Sequence, residues 1–352
     1  MMNLEKEIRE QPSVLAGLAD KNGSTIAALA SAMKERNIRK IYFAARGTSD
    51  HAATYAQYLF ALTAGIPCGL ATPSVISKYG ASVDYSDSLV IGISQSGAAE
   101  DVISVIADAK KSGALTAGIT NVEGSHLAGS VDYTLFCNAG DETSIAATKT
   151  FTSQMMLLAL LAAEVSGSAA LKAGLAKVAS AVAELLTYMP ETLSVLTKKY
   201  TGMTSAVTLG RGFAYPIALE GTLKILETNN IKMRGYAISD FQHGPIAQLH
   251  AGDPVFVIAL DGPVIDDADM MIGRLKALGT DIIVVTDSDK YCDDDTVTVL
   301  KVPAVSEEGI ASDALNVFTA AVVFQLFACK LAETRGIDPD ASKTLKKVTV
   351  TV

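Results

Sequence analysis

Apolar residues along this chain follow two spacings. Short uninterrupted runs at Lys40–Ala45, Ser88–Ile93 and Leu115–Thr120 read as buried strands. The stretches after the first two, to Ala64 and to Ser112, carry helical spacing. Strand–turn–helix units of this kind predict a parallel sheet covered by helices on both faces. The pattern then recurs. Ser205–Leu209, Pro254–Leu260 and Asp281–Thr286 repeat the three strands at an offset of about 165 residues, as a duplicated domain would. Between the halves, Thr150–Lys199 is helical in pattern, with Pro190 as its only interior breaker. It lacks the Gly/Ser/Pro bias of a flexible linker and reads as packed helix. Ser312–Thr334 is a last helix. The predicted organisation is a helical segment 1–38, an α/β domain 39–165, a helical connection 166–200, a second α/β domain 201–335 and a tail 336–352.

Composition removes several classes of function. With 352 residues, 49% hydrophobic and 19% charged, the chain can bury a substantial core and is not a disordered sequence. Its net charge of −9 argues against binding a nucleic-acid backbone, but not against binding a small anion through local geometry. Cys68, Cys137, Cys292 and Cys329 are dispersed, and no cysteine stands in metal-ligand spacing with another cysteine or a histidine. They read as buried thiols of a reducing compartment. The polar N-terminus is no signal peptide, and the longest apolar run, Met155–Ala163, is too short to span a bilayer. The expectation is a cytoplasmic protein with no membrane partner, no nucleic acid, no metal and no cofactor.

Ligands of open α/β sheets sit beyond the carboxyl ends of the strands. In the first half those ends carry Thr48 and Ser49 after one strand and Ser94, Gln95 and Ser96 before Gly97 after the next. A glycine turn leading into a helix presents backbone N–H groups and a positive dipole end, and neighbouring hydroxyls can donate to the same anion. Such a phosphate cradle needs no lysine. Helix capping alone would also explain these hydroxyls. In the second half the matching position reads Leu260-Asp261-Gly262-Pro263, whose carboxylate repels phosphate. That half carries instead Glu220, Lys224 and Glu227 at i, i+4, i+7 on one helical face, with Leu219, Leu223 and Leu226 on an adjacent face suited to the core. A solvated, ion-paired face is the ordinary meaning of such a triplet. The helix follows Gly210-Arg211-Gly212, however, which predicts that its first turns face the strand ends. His243, before Gly244-Pro245, is a loop histidine and an acid–base candidate beside those charges.

These motifs resemble the sugar isomerase (SIS) family, in the tandem two-domain form found in the isomerase half of glucosamine-6-phosphate synthase. The resemblance runs from Ile8-Arg9-Glu10-Gln11-Pro12 to the terminal Val-Thr-Val. It is most specific at Gly47-Thr48-Ser49, Ser94-Gln95-Ser96-Gly97, Ala146–Thr152, Gly210-Arg211-Gly212, Ala218-Leu219-Glu220-Gly221 and His243-Gly244-Pro245. It implies two doubly wound, flavodoxin-like α/β/α domains related by duplication. It implies that Thr48, Ser49, Ser94, Gln95 and Ser96 bind the sugar phosphate. Arg46, Gly47 and Ala147, in the matched motifs, become further substrate-site positions. Glu227 matches the base that moves a proton between C1 and C2, and Lys224 a lysine beside it. His243 matches a ring-opening histidine that reaches across from a neighbouring subunit, which implies a homodimer or higher oligomer with shared sites. A tail lysine matches one that forms a Schiff base with the keto sugar. A Leu-x-Lys pattern selects Lys347, and alignment on Val-Thr-Val selects Lys346; Lys347 is preferred.

The sequence also departs from the synthase. About 39 residues precede the first strand and contain no cysteine, whereas the synthase carries a glutaminase with a cysteine nucleophile there. Ser96-Gly97-Ala98-Ala99-Glu100-Asp101 lacks a hydroxyl that the synthase loop has, and Arg46 stands where the synthase has Cys. Arg46–His51 and Ala146–Lys149 are more similar to stand-alone amino-sugar-phosphate deaminases of the family. The resemblance therefore implies an enzyme for a hexose 6-phosphate or amino-sugar 6-phosphate. It would isomerise its substrate with loss of nitrogen, without drawing nitrogen from glutamine. A deglycase for a 6-phosphorylated fructose–amino acid adduct, a plain aldose–ketose isomerase and a non-catalytic phosphosugar sensor are the alternatives.

Overall fold

A computed structural model describes residues 2–341 and Lys347. The described residues form two compact units, each discontinuous in sequence. One comprises Ser13–Glu142, Lys149–Leu175 and Lys347; the other comprises residues 2–12, Thr143–Thr148 and 176–341. Helices α1 (Asn3–Arg9) and α2 (Gln11–Glu35) precede the first strand.

The first unit is built on β1 (Lys40–Ala44), β2 (Cys68–Leu70), β3 (Ser88–Ile93), β4 (Leu115–Thr120) and β5 (Tyr133–Phe136), parallel throughout in the order β2-β1-β3-β4-β5. Its helices are α3 (Thr48–Ala64), α4 (Pro73–Ser77), α5 (Glu100–Lys111), α6 (His126–Ser130) and α7 (Lys149–Ser166). Alternate residues of a strand point to opposite faces. Phe43 thus meets Phe60 of α3, while Ala44 and Val90 pack with Val102, Val105 and Ile106 of α5 on the other face.

The second sheet repeats that order as β10-β9-β8-β6-β7. Its strands are β6 (Ser205–Gly210), β7 (Lys232–Ala237), β8 (Pro254–Ile258), β9 (Asp281–Thr286) and β10 (Val297–Lys301), and its helices α9 (Ala214–Asn229), α10 (Ile238–Phe241), α11 (Ile265–Ala277) and α12 (Asp313–Thr334). Phe256 packs on Phe324 and Phe327 of α12, and α12 in turn lies against α9. On the opposite face, Val255 and Val257 pack with Ile238 and Phe241 of α10 and Met271 and Leu275 of α11. By composition α12 could cross a bilayer; it is instead almost wholly buried as the core helix of its unit.

The predicted strands and the two-sheet α/β class hold, and identical strand order in both sheets fits duplication. The chain pattern missed four strands, β2, β5, β7 and β10. All four are half-exposed sheet edges, and β7 and β10 carry Lys232, Arg234 and Lys301. Edge strands bury one side only, so they leave no apolar run to read. Pro190 also breaks nothing, because it lies inside the continuous helix α8 (Ala169–Leu196). The break falls earlier, at Gly167 with φ 66, after which Ser168 Oγ accepts the Leu171 N–H at 3.1 Å to start α8.

Candidate functional site

In the strand order shared by both sheets, the switch point lies between the first and third strands of each unit, where the crossovers diverge to opposite faces and a crevice opens. In the first unit this brings together two loops that are distant in sequence. The first begins at Arg46. Gly47 takes φ 53, a conformation that favours glycine, and the Ser49 N–H reaches back to the Arg46 carbonyl at 3.2 Å as α3 begins. The second spans Ser94 to Ala99. Ser94 N–H extends the sheet to Ile119 O at 3.0 Å. Gln95 O accepts Asn121 N–H at 3.0 Å and Thr120 Oγ1–H at 3.2 Å, and Ser96 Oγ accepts Ala98 N–H at 3.3 Å. Gly97 has φ 63, and a Cβ there would overlap the Ser125 side chain. The α5 helix starts only at Glu100, so Gly97 belongs to the loop and does not itself begin the helix. Thr48 and Ser49 thus follow the carboxyl end of β1, Ser94, Gln95 and Ser96 follow that of its parallel neighbour β3, and Arg46 links the two segments by an ion pair to Asp101 in the first turn of α5.

At the equivalent strand ends of the second unit the loops are held together by the chain's own carboxylates. Asp287 accepts the Asp261 N–H at 2.7 Å, Ser312 donates to Asp261 O at 2.8 Å, and Asp313 lies against Gly262. Asp313 is buried, and burial together with neighbouring Asp287 pushes its carboxyl up to about 6. Arg211, in the loop after β6, stands near these carboxyl groups and pairs through Nε with Asp267 at 2.9 Å.

The charged triplet of α9 is the largest departure from the sequence reading. Leu219, Leu223 and Leu226 are half-exposed, while Glu220 and Lys224 are buried. Gly221 explains the inversion: it lets Phe324 of α12 approach so closely that any side chain there would collide with it. That contact turns the face bearing Glu220 and Lys224 inward. Lys224 pairs with Glu220 at 3.3 Å and with Glu227. Burial by itself would lower the Lys224 pKa, but the two carboxylates outweigh it and hold the ammonium above the usual lysine range. Side-chain exposure is 2% for Glu220 and Lys224 and 14% for Glu227, so Glu227 is the member of the triplet that meets solvent.

The position of Glu227 also differs from expectation. A crossover helix runs antiparallel to the strand before it, and Glu227 lies in the last turn of α9, roughly 20 Å along the axis from Ala214. Its neighbour Leu226 lines a cavity of about 530 Å³ with Ser205, Lys232 and Pro254, at the amino ends of β6, β7 and β8. Glu227 is therefore remote from the carboxyl ends of its own sheet. His243 is exposed on the loop after α10, whose neighbour Gln242 is held by Arg274 of α11 at 2.8 Å. Because α10 and α11 cover one face and α9 and α12 the other, a single chain places His243 and Glu227 on opposite faces of the second sheet.

Lys347 pairs with Glu142 at 2.9 Å within the first unit. The Glu142 side chain is fully buried and also accepts the Thr150 N–H at 3.1 Å and Thr150 Oγ1–H at 2.7 Å. Lys343, Lys346 and Val348-Thr349-Val350 lie outside the described residues. Ala147 is half-buried in the second unit. Its segment is fixed by Glu7, which accepts Thr143 N–H at 2.6 Å, by Asp340, which accepts Ile145 N–H at 3.0 Å, and by Gln325, which donates to Thr148 O at 3.3 Å. Sequence reasoning passed over Glu142 and Asp101. Each stands beside a second acidic residue, Asp141 or Glu100, and only its buried partner marks it out. Among the described residues no cluster of His, Cys, Asp and Glu could hold a metal ion.

Two flavodoxin-like parallel sheets of identical strand order in one chain define a tandem α/β protein. The chain belongs to the SIS domain family, whose model matches residues 36–164 and 200–335. It is 36% identical over 356 residues to the isomerizing glutamine–fructose-6-phosphate aminotransferase of Thermococcus kodakarensis, covering 98% of this chain and 57% of that protein. It thus spans a little over half the length of that relative. The C-terminal domain of glucosamine-fructose-6-phosphate aminotransferase from Francisella tularensis superposes with a TM-score of 0.81 at 25% identity, covering 97% of this chain and 98% of that one. Glucosamine-6-phosphate deaminase from Thermotoga maritima shares the fold, with a TM-score of 0.80 at 22% identity over 99% of this chain and 100% of that one.

Proposed function

We propose that this chain is a phosphosugar isomerase that acts on an amino-sugar 6-phosphate and releases its nitrogen as ammonia. The observation that carries this reading is Glu227, a carboxylate held by a buried, permanently charged lysine and still open to solvent. The hydroxyl-lined crevice of the first sheet supports phosphate as the handle by which the sugar is held. The relatives act on related chemistry by name, one an isomerizing fructose-6-phosphate aminotransferase and the other, sharing only the fold, a glucosamine-6-phosphate deaminase.

In this mechanism His243 assists ring opening to the aldehyde. The carbonyl acidifies the C2–H bond, Glu227 removes that proton, and the same carboxylate returns it to C1. An amine at C2 then becomes a ketimine, which water hydrolyses to ketose phosphate and ammonia. Lys224 holds Glu227 in place, and Lys347 is the candidate nucleophile toward the keto sugar. His243 and α9 occupy opposite faces of the sheet, which supports a homodimer in which each copy lends its histidine to the other.

The test is product release from a panel of amino-sugar 6-phosphates, 6-phosphorylated fructose–amino acid adducts and hexose 6-phosphates. Ammonia from an amino-sugar 6-phosphate is the expected result. Release of an amino acid from the adducts would establish a deglycase instead, and aldose–ketose exchange alone a plain isomerase. Tight binding without turnover of any of them would overturn the enzymatic reading.

A further inference from the structure

We infer that Arg46, aimed by Asp101, is the cation of the phosphate crevice and the residue that makes it select a phosphorylated sugar over a neutral one. The inference rests on the reading that the loops at the first switch point hold the phosphate. Arg46 is the only lysine or arginine in the two loops, 45–47 and 94–99. Its Nε donates to Asp101 Oδ2 at 2.6 Å. Asp101 is itself fixed: its side chain is 4% exposed and its other oxygen accepts the Val102 N–H at 2.9 Å in the first turn of α5. The guanidinium thus spans from the loop after β1 to the helix after the serine loop, across the crevice that both border.

The chemistry of the pairing sets what remains available. Arginine presents five N–H donors in a planar fork. Asp101 takes the Nε donor, and the side chain is still 50% exposed. The end of the fork carrying Nη1 and Nη2 is left for a second anion, in the geometry that pairs two donors with two phosphate oxygens. A tether at Nε removes most of the rotamer freedom that an untethered arginine would lose on binding. The serine loop also lacks a hydroxyl at Ala98 and Ala99, and the tethered guanidinium compensates for it with a full charge. Asp101 touches no ligand in this scheme; it is a positioning residue that acts through Arg46.

The experiment measures competitive inhibition by inorganic phosphate, together with kcat and KM for the phosphosugar, in Arg46→Ala, Arg46→Lys, Asp101→Asn and the Arg46→Ala/Asp101→Asn pair. Arg46→Ala should weaken phosphate binding and raise KM by roughly 10–100-fold, the value of one charge-assisted contact, with kcat nearly unchanged. Arg46→Lys should resemble Arg46→Ala, because an ammonium has neither the fork nor the Nε tether. Asp101→Asn should weaken binding when Arg46 is present and add nothing in the Arg46→Ala background. Ser96→Ala serves as the control on the site itself. If Ser96→Ala weakens phosphate binding and a folded Arg46→Ala does not, the inference fails and the site reading stands. If neither variant changes it, the phosphate site lies elsewhere. An equal cost of Asp101→Asn in both backgrounds overturns its role through Arg46.

Discussion

Replacing Glu227 with Gln is expected to abolish exchange of the C2 hydrogen with solvent while phosphosugar binding stays as it was. The substitution preserves shape and leaves an oxygen for Lys224 to donate to. It also leaves the buried lysine one carboxylate, Glu220 at 3.3 Å, so its positive charge stays paired. What disappears is the proton acceptor. General acid–base groups contribute on the order of 10²–10⁴ in rate, and a residue that handles both the removal and the return of the proton belongs at the upper end of that range. Tritium or deuterium wash-out, read beside the dissociation constant of the sugar phosphate, checks this; undiminished exchange would remove Glu227 from the mechanism. The same variant tests the shared site. If His243 serves the neighbouring copy, an equal mixture of His243→Ala and Glu227→Gln chains places one intact site in each mixed dimer. About a quarter of wild-type activity should then return, since roughly half the dimers are mixed. Silence of that mixture after demonstrated subunit exchange would place the site within one chain.

Lys224→Met should be the most damaging single change to the fold. Lys224 pairs with two carboxylates inside α9, and one of them, Glu220, is as buried as Lys224 itself. Removing one partner of a buried ion pair typically costs 3–5 kcal/mol, because the remaining charge is stranded in a low-dielectric interior. The pH dependence has a definite sign. In the wild type the folded-state pKa of Lys224 is raised above its reference of 10.5. Its stabilisation is therefore fully present below the unfolded value and is lost only as pH climbs through the folded one. In Lys224→Met the stranded carboxylates can recover by taking up protons, so the deficit should be smaller near pH 5 than near pH 8. Denaturant midpoints at the two pH values measure this. Adding Glu220→Gln should restore part of the loss, and a loss below about 1 kcal/mol, as for an exposed pair, would contradict the buried-triad assignment.

Much of this molecule was legible in the chain because its central strands are buried on both faces. Such strands must be continuous apolar runs, and the glycine and hydroxyl turns after them stand out against that background. The edge strands β2, β5, β7 and β10 were not legible, since a strand buried on one side carries no such run. The α9 triplet was misread for a related reason. Its spacing put Glu220, Lys224 and Glu227 on one face, but helical spacing does not say which face points inward. That was decided by Gly221 and Phe324, more than a hundred residues apart. Glu142 and Asp101 give no sequence signal at all, because a carboxylate becomes informative only when its buried partner is known.

By itself, then, the sequence determined the two parallel sheets, their repeated pattern and the loops that end their strands. Local patterns suffice for these because they depend on neighbours a few positions away. Only the tertiary structure decided that Arg46 pairs with Asp101 across the loops after β1 and β3, and that Asp287 holds the Asp261 loop in the second unit. It also decided that Lys224 is buried between its two carboxylates, and that His243 and Glu227 stand on opposite faces of one sheet. Those facts follow from strand order and from which helix covers which face, and both are fixed by contacts between residues far apart in the chain.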